Sequence, residues 1–260
     1  MELDLYHVDA FADTIFSGNP AAVIPLPEWL PDELMQNIAR ENNLSETAFF
    51  VRNGAYFDLR WFTTEGEVDL CGHATMASAH VLYEHLEYTD SVVIFETQSG
   101  RLLVERENTF YSMDFPAWPV QEIQVTERVA AALGARPERL YMGHRDMMAV
   151  FETEMQVRNL APNFHLLAKV DGLCIVCTAP GINHDFVSRF FTPDVGLPED
   201  PVTGSAHCML VPYWADRLGR SVLTAYQASA RGGVLSCEAL SDRVKLSGQA
   251  VTFMKGVIAL

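Results

Sequence analysis

The sequence is poor in basic residues, with 18 Lys and Arg against 34 Asp and Glu and a formal net charge of −16 at pH 7. No basic run interrupts this excess, so we expect neither a nucleic acid nor an anionic membrane as a partner. In such a chain an anionic substrate has to be held by a local positive field. The amides at the start of a helix provide a field of that kind.

The sequence also lacks an apolar stretch of membrane-spanning length, although 49 % of its residues are hydrophobic. Its first residues, Met-Glu-Leu-Asp-Leu, have neither the basic start nor the apolar run of a signal peptide. We therefore expect a cytoplasmic globular protein. Its 260 residues suffice for two domains of ordinary size, each about 120–130 residues long.

Cysteine is sparse, and the five residues are an odd number at irregular spacing, which does not suggest a disulfide framework. Cys174 and Cys177 lie in a pattern that indicates a buried strand, and no second pair completes a metal site. We interpret both as core residues. His80 and His85 are five positions apart on a predicted helix and are expected to point away from each other. No metal site is predicted.

Three common catalytic motifs are missing: the Gly-x-Ser-x-Gly elbow, the P-loop, and a Gly-x-Gly-x-x-Gly sequence after a strand. Each motif positions a nucleophile or a phosphate in a specific way. Without them, the hydrolase, kinase and dehydrogenase interpretations lose their best support.

Two stretches, residues 69–86 and 200–214, join a glycine-containing turn directly to an apolar helix pattern. The first amides of a helix have no partner within it, and the helix dipole adds positive charge there. Gly72-His73 and Gly204-Ser205 are therefore candidate binding sites for a carboxylate. Pro212 is expected to kink the second helix.

The two stretches indicate an internal duplication. A Phe-Thr pair precedes each of them, and these pairs lie 129 residues apart, close to half of the chain, while the two glycines lie 132 apart. We predict a first half of residues 1–116, joined by the final strand 248–260, and a second half of residues 117–247. Two related halves facing each other would aim both helix starts into one cleft.

Local patterns predict the other elements. Two helices are expected, one from Pro31-Asp32 to residues 42–43 and one over 126–133 with Thr126 as cap and Gly134 as stop. Residues 157–160 and 164–167 show weaker strand patterns, and the second of these segments is alternatively a short helix. Strands are predicted at 3–8, 44–51, 56–62, 91–96, 101–105, 109–115, 141–142, 147–151, 173–178, 187–191 and 251–260.

Four polar residues have both a structural and a chemical interpretation. Asn19, between a glycine and a proline, is a turn residue or a ligand-facing amide. Glu46, just before an apolar run, is a solvated carboxylate or a general base. His73 is a helix cap or a proton relay, and Asp200 is a cap, a second acid/base group or a partner for a substrate amine. The residues alone leave these alternatives open.

Four segments resemble, in matching order, the PhzF-like family of phenazine biosynthesis. They are Phe-Ser-Gly-Asn-Pro-Ala-Ala-Val at 16–23, Asn-Leu-Ser-Glu-Thr-Ala-Phe at 43–49, Asp-Leu-Cys-Gly-His-Ala-Thr at 69–75 and Glu-Asp-Pro-Val-Thr-Gly-Ser-Ala-His at 199–207. The resemblance continues to the final strand. It implies an α/β (α+β) fold like that of diaminopimelate epimerase, with two pseudo-symmetric halves, each a curled, mostly antiparallel sheet around a central helix.

The resemblance also implies an isomerase or epimerase that needs no cofactor and moves a proton beside a carboxylate in a small cyclic or amino-acid-like substrate. Glu46 matches the family's proton-shuttling glutamate, and His73 and Asp200 match its supporting polar residues. Gly72-His73 and Gly204-Ser205 match its amide cradles for the substrate carboxylate, with Asn19 as a further substrate-binding residue. A homodimer is expected from the resemblance alone.

One departure concerns the thiols of the related epimerase, which uses two opposed cysteines. Here only the first helix start has a nearby cysteine, Cys71, while Thr203 precedes the second glycine. A two-thiol racemase is therefore disfavoured, and packing is the preferred interpretation of Cys71. The alternative from another class is a non-enzymatic protein that binds a carboxylate metabolite.

Overall fold

The computed structural model describes residues 1–170, 174–193 and 197–260. The chain divides into two compact units. Unit 1 comprises Met1–Asp114 with Ser247–Leu260, and unit 2 comprises Phe115–Leu246. None of the helices in these described ranges is long and apolar enough to cross a membrane.

The helices and strands are numbered along the chain. The first ones are β1 (Glu2–Ala10), β2 (Asn19–Leu26), α1 (Asp32–Asn42), β3 (Glu46–Asn53), β4 (Tyr56–Phe62), β5 (Glu67–Val68), α2 (Gly72–His85), β6 (Val92–Thr97), β7 (Gly100–Glu107) and β8 (Phe110–Pro116). Those that follow are β9 (Gln121–Ile123), α3 (Glu127–Leu133), β10 (Arg139–Met142), β11 (Met147–Val150), α4 (Glu154–Arg158), α5 (Phe164–Leu167), β12 (Ile175–Pro180), β13 (Phe186–Phe191), β14 (Glu199–Asp200), α6 (Gly204–Leu218), β15 (Val222–Gln227), β16 (Gly233–Leu240), β17 (Arg243–Gly248) and β18 (Ala250–Ala259).

Unit 1 is a mixed sheet that packs against α2. Strand β1 pairs antiparallel with both β2 and β18, β2 pairs parallel with β3, and β3 pairs antiparallel with β4. Every residue of α2 from His73 to Tyr83 is buried. A helix buried on all sides belongs to a core, as its apolar circumference predicts. The β2–β3 register places Ala21 opposite Glu46, so Asn19 and Glu46 lie at the same end of these two strands.

Unit 2 has a second mixed sheet and its own buried helix. Strand β11 pairs parallel with β12, β12 pairs antiparallel with β13, and β13 pairs parallel with β15. Helix α6 runs through Pro212, which has no N–H to donate to the carbonyl of Cys208. The backbone N–H of Trp118 donates to that carbonyl at 2.9 Å instead. The buried acceptor that the proline would leave without a partner is thereby satisfied.

The local signals predicted several elements well. Helix α1 ends at Asn43 in the left-handed conformation, α3 has Thr126 as its cap and ends at Gly134, and Phe164–Leu167 is helical. Strand β4 has the predicted bounds. The predicted strand 173–178 begins outside the described residues and is observed over Ile175–Pro180. The chain between residues 219 and 248 was given no strands, and it forms β15, β16 and β17.

The prediction that His80 and His85 point away from each other is wrong. Their ring centroids are 6.1 Å apart, and both rings hydrogen-bond to the Thr252 hydroxyl, at 2.9 and 2.7 Å. Helix α2 ends at His85, so ideal helical spacing was a poor guide there. His80 also contacts the Tyr111 hydroxyl at 3.0 Å, and burial lowers the pKa of His80 to about 4. This pair is a neutral packing contact between α2 and β18.

Candidate active site

Helix α2 begins without a side-chain cap. Cys71 is the N-cap residue, with extended backbone (φ −145°), and its side chain makes no capping hydrogen bond. Gly72 and His73 are the first two helical residues, so the interpretation of His73 as a helix cap is wrong. The amides of this first turn are the groups that a helix start offers to an anion.

His73 lies against Glu46, the first residue of β3. The imidazole Nε2 and the carboxylate Oε2 are 3.0 Å apart, and the two side chains are 7 % and 19 % exposed. The interpretation of Glu46 as a fully solvated carboxylate therefore fails. The contact is close but poorly aligned, because neither atom has a hydrogen bond of acceptable geometry to any described residue. Catalytic groups often show such geometry before a ligand binds.

The opposite ring nitrogen of His73 faces Asn19 and Cys71. Asn19 is fully buried, and its Nδ2 donates to Nδ1 of His73 at 3.2 Å, while the Ser45 hydroxyl donates to its Oδ1 at 3.4 Å. The Cys71 sulfur is 3.6 Å from the same Nδ1. Because an amide NH₂ only donates, this orientation of Asn19 fits the neutral ring, with Nδ1 as acceptor and the proton on Nε2, toward Glu46; a protonated ring would instead donate from Nδ1 to the amide oxygen. Asn19 thus orients the ring of His73.

The protonation states of His73 and Cys71 depend on their burial and on the neighbouring ionisable groups. Burial lowers the pKa of His73, but Cys71 and Glu46, through charge and hydrogen bonding, raise it well above its ordinary value. Burial, and then the charge of Glu46, raises the pKa of the Cys71 thiol. The thiol is therefore protonated at neutral pH. The raised pKa of His73 depends on both neighbours, Cys71 and Glu46.

Helix α6 in unit 2 also begins without a side-chain cap, after the extended residue Thr203 (φ −117°). The Thr203 hydroxyl donates to the Asp200 carboxylate at 2.5 Å. Gln227, fully buried, accepts from the Thr203 amide at 2.9 Å and donates to the Asp200 carbonyl at 2.8 Å. Asp200 therefore helps to hold the turn before α6. Its roles as acid/base group or amine partner stay predictions.

Gly204 and Ser205 are the first residues of α6. Gly204 is buried, yet a Cβ added there would meet no described atom within 4 Å outside its chain neighbours and the adjacent helix backbone, so packing does not require glycine at this position. Behind them, His207 is fully buried, with Nδ1 2.8 Å from the Thr203 carbonyl, and burial lowers the pKa of His207 to about 4. A neutral His207 therefore donates to that carbonyl and stabilises the first turn of α6.

Arg145, which lies between β10 and β11, is a candidate site residue that the sequence did not reveal. Its Nη2 donates to the Ser205 hydroxyl at 3.4 Å, and its Nε pairs with the fully buried Asp146 at 3.1 Å. The Arg145 side chain is 48 % exposed. It places a positive charge beside the start of α6, in a chain whose net charge is −16. A lone arginine sixty positions from Ser205 carries no pattern that would have revealed this contact.

The comparison with protein families decides the assignment of the chain. Residues 8–256 match the model of the PhzC-PhzF family, described as phenazine biosynthesis-like protein. The chain belongs to the PhzC-PhzF family. It is 48 % identical, over the full length of both chains, to an uncharacterized isomerase of Pseudomonas aeruginosa. The names of such relatives confirm the predicted enzyme class, an isomerase of this family.

Solved structures agree with this assignment. The crystal structure of a PhzF family protein from Enterococcus faecalis superposes with a TM-score of 0.98, at 47 % identity and with 100 % of both chains covered. A hydroxyproline epimerase from Agrobacterium vitis matches with a TM-score of 0.66 at 11 % identity, covering 100 % of this chain and 93 % of that one. At that identity the likeness shows the fold alone. The predicted mixed α/β fold of an epimerase type is thus confirmed.

Proposed function

We propose that this PhzC-PhzF protein is a cofactor-independent isomerase or epimerase that moves a proton next to a carboxylate in a small substrate. The substrate class is a cyclic or amino-acid-like carboxylic acid. Glu46 is the acid/base group. The observation that carries the proposal is the contact of Glu46 with His73 beside the uncapped start of α2.

The contact suits proton transfer because each partner has hydrogen-bonding capacity left. Nε2 of His73 and Oε2 of Glu46 are 3.0 Å apart, yet both lack a well-aligned partner among the described residues. Leaving buried polar atoms without hydrogen bonds costs about 1–3 kcal/mol each, so such atoms call for an explanation. A substrate that contacts Glu46 and His73 supplies one.

In the proposed reaction Glu46 takes the proton from the carbon beside the substrate carboxylate. The electron pair of the broken C–H bond moves into the carboxylate, which becomes enediolate-like. Amides of the first turn of α2, at Gly72 and His73, face the developing negative charge and stabilise it. Glu46 then returns the proton to another carbon, which gives isomerisation, or to the other face with the help of a second group.

His73 acts on Glu46 rather than on the carbon. Its Nε2–H points toward the carboxylate, and Asn19 holds the ring in that orientation through Nδ1. A positioned donor of this kind fixes the carboxylate and stabilises its charge before it accepts the proton. Asn19 therefore supports the acid/base group through His73.

In unit 2 the start of α6 is proposed to hold a carboxylate. Its first amides and the Ser205 hydroxyl are the donors, and Arg145 supplies the positive charge. The prediction from the sequence that both helix starts serve one substrate stays a prediction. Substrate binding by variants at Ser205 and Arg145 tests it.

The experiment is incubation in deuterated water with a panel of cyclic and amino-acid-like carboxylic acids, read by mass and proton NMR. Wild-type protein should introduce deuterium into one class of compound. Glu46→Gln should lower that exchange by a factor of about 10²–10⁴, the usual contribution of a general acid/base group. Glu107→Gln makes the same change at an exposed glutamate of unit 1 and should exchange like the wild type.

Two results would contradict the proposal. One is exchange that Glu46→Gln leaves undiminished. The other is a panel in which a compound raises the melting temperature of the wild type while no compound acquires deuterium, which indicates the non-enzymatic binding protein. A ligand stabilises by mass action whether or not it reacts, so melting shifts identify binding independently of turnover.

A further inference from the structure

Glu46, Cys71 and His73 form a cluster of three potential metal ligands. One ligand atom from each, a carboxylate oxygen, a thiol sulfur and a ring nitrogen, lies within 4.8 Å of the other two. It is the one such group of three found in the part of the chain that the structure describes. No metal site is predicted from the sequence, because Cys71 and His73 lie 25 and 27 positions after Glu46 and match no ligand spacing.

The ligand atoms are available for binding. Nε2 of His73 and Oε2 of Glu46 have no well-aligned partner among the described residues, and the His73 side chain is more than nine-tenths buried. A cation bound at Nε2 would move the proton of the neutral ring to Nδ1, and Asn19 would then accept from Nδ1–H through its side-chain amide oxygen after rotation of the amide. Asn19 would then orient the ligand ring from behind, as outer-sphere partners of histidine ligands usually do.

The distances are close to those of a tetrahedral shell. With metal bonds of about 2.0–2.3 Å, neighbouring ligand atoms lie about 3.3–3.6 Å apart. The Glu46 carboxylate oxygen is 3.0 Å from Nε2 of His73, whereas the Cys71 sulfur is 3.6 Å from Nδ1, the other nitrogen of the ring. Since the three ligand atoms lie within 4.8 Å of one another, binding of one ion at Nε2 requires the Cys71 side chain or the His73 ring to move so that the sulfur approaches that nitrogen.

We propose that Cys71, His73 and Glu46 bind a thiophilic divalent cation of the Zn²⁺ class, and that the bound cation inhibits proton transfer by Glu46. The mixed sulfur, nitrogen and oxygen donors suit zinc-like ions better than Mg²⁺ or Ca²⁺, which prefer oxygen alone. Binding replaces the S–H bond of Cys71 by a sulfur–metal bond and releases the proton to solvent. Three protein ligands leave the fourth position open to water.

The inhibition rests on the proposed function, whereas the binding does not. A carboxylate bonded to a cation has lost the lone pair that would accept a proton from carbon.

Cys237 lies outside this cluster and serves as the control cysteine. It is buried, and burial alone raises the pKa of its thiol, with no ionisable neighbour contributing.

The test is a titration with Co²⁺, a spectroscopic substitute for Zn²⁺ that shows a near-ultraviolet charge-transfer band when a thiolate is bound. The wild type should show this band at one equivalent, and Zn²⁺ should remove it. Cys71→Ser should lose the band, whereas Cys237→Ser, the matched control, should keep it. Glu46→Gln should keep the band and bind Co²⁺ at least about tenfold more weakly.

A wild type without a thiolate band at millimolar Co²⁺ would overturn the proposal, as would a band that Cys71→Ser retains. Because Cys71 is buried, its serine variant is first checked for folding by circular dichroism. If it does not fold, the affinity of Glu46→Gln decides: unchanged affinity overturns the site. Zn²⁺ should also abolish deuterium exchange reversibly, and a chelator should restore it. The Co²⁺ band needs no substrate, so failure of the isomerase proposal remains distinguishable from failure of the metal site.

Discussion

The starts of α2 and α6 share a backbone design and differ in the side chains beside it. Each helix follows an extended N-cap residue, Cys71 or Thr203, that makes no side-chain cap, and each helix is mostly buried. Beside α2 lie a carboxylate and an imidazole in contact, Glu46 and His73. Beside α6 lie the Ser205 hydroxyl, Arg145 and the turn that Gln227 holds. Under the proposed function, the same backbone arrangement supports chemistry at the start of α2 and binding at the start of α6, and the difference comes from the neighbouring side chains.

The largest effect on stability is expected from the rigid turn before α6. Gln227 is fully buried and bridges Thr203 and Asp200 with three hydrogen bonds. Gln227→Ala removes all three and leaves buried groups without partners, which should cost about 3 kcal/mol of unfolding free energy. Urea denaturation measures the loss. The exposed Gln124→Ala is the control, and a loss below about 1 kcal/mol for Gln227→Ala would show that the turn is held by other contacts.

The next prediction tests whether the start of α6 binds the substrate. Arg145→Gln removes the positive charge beside Ser205 and should raise KM about tenfold, equivalent to about 1.4 kcal/mol, with little change in kcat. Steady-state kinetics on the substrate found by deuterium exchange gives both constants. Arg136→Gln, at an exposed ion pair of unit 2, should change neither. A fall in kcat with unchanged KM would instead place Arg145 in the chemical step.

A third prediction concerns the pH dependence of unit 1. The pKa of His73 is raised in the folded protein above its ordinary value of 6.5. Protonation of His73 therefore stabilises the fold fully below about pH 6.5, and this contribution is lost as pH rises through the folded pKa. In Glu46→Gln the contribution should shrink. Melting temperatures measured across pH test this, and identical profiles for wild type and variant would contradict the coupling.

The smallest effect is expected at Asn19, which donates to Nδ1 of His73 and so opposes a second proton on the ring. Asn19→Asp replaces that donor by an acceptor of the same shape. The pKa of His73 should rise further, and its stabilising contribution should persist to higher pH. NMR titration of the His73 ring protons gives the pKa directly. A pKa of His73 that does not rise in the variant would contradict the contact between residue 19 and the ring.

Helix ends, which neighbouring residues determine, could be predicted from the sequence. Contacts between residues far apart in the chain could not. The ends of α1 and α3 were readable because Asn43, Thr126 and Gly134 act locally. The grouping of Glu46 and His73 in one site is expected only through the family resemblance, because no spacing rule links residues 27 positions apart. Arg145 was missed because the loop between β10 and β11 brings it to α6. His80 and His85 were misplaced because both reach Thr252, on a strand more than 160 positions away.

The division of labour between the two helix starts is tested most directly by measuring kcat for Glu46→Gln and Ser205→Ala on the same substrate. The account predicts that Glu46→Gln lowers kcat by a factor of about 10²–10⁴, because the general base is lost. Ser205→Ala should keep kcat within a few-fold and raise KM, because only binding is weakened. A Glu46→Gln variant with a kcat within tenfold of wild type would contradict the assignment of chemistry to the start of α2.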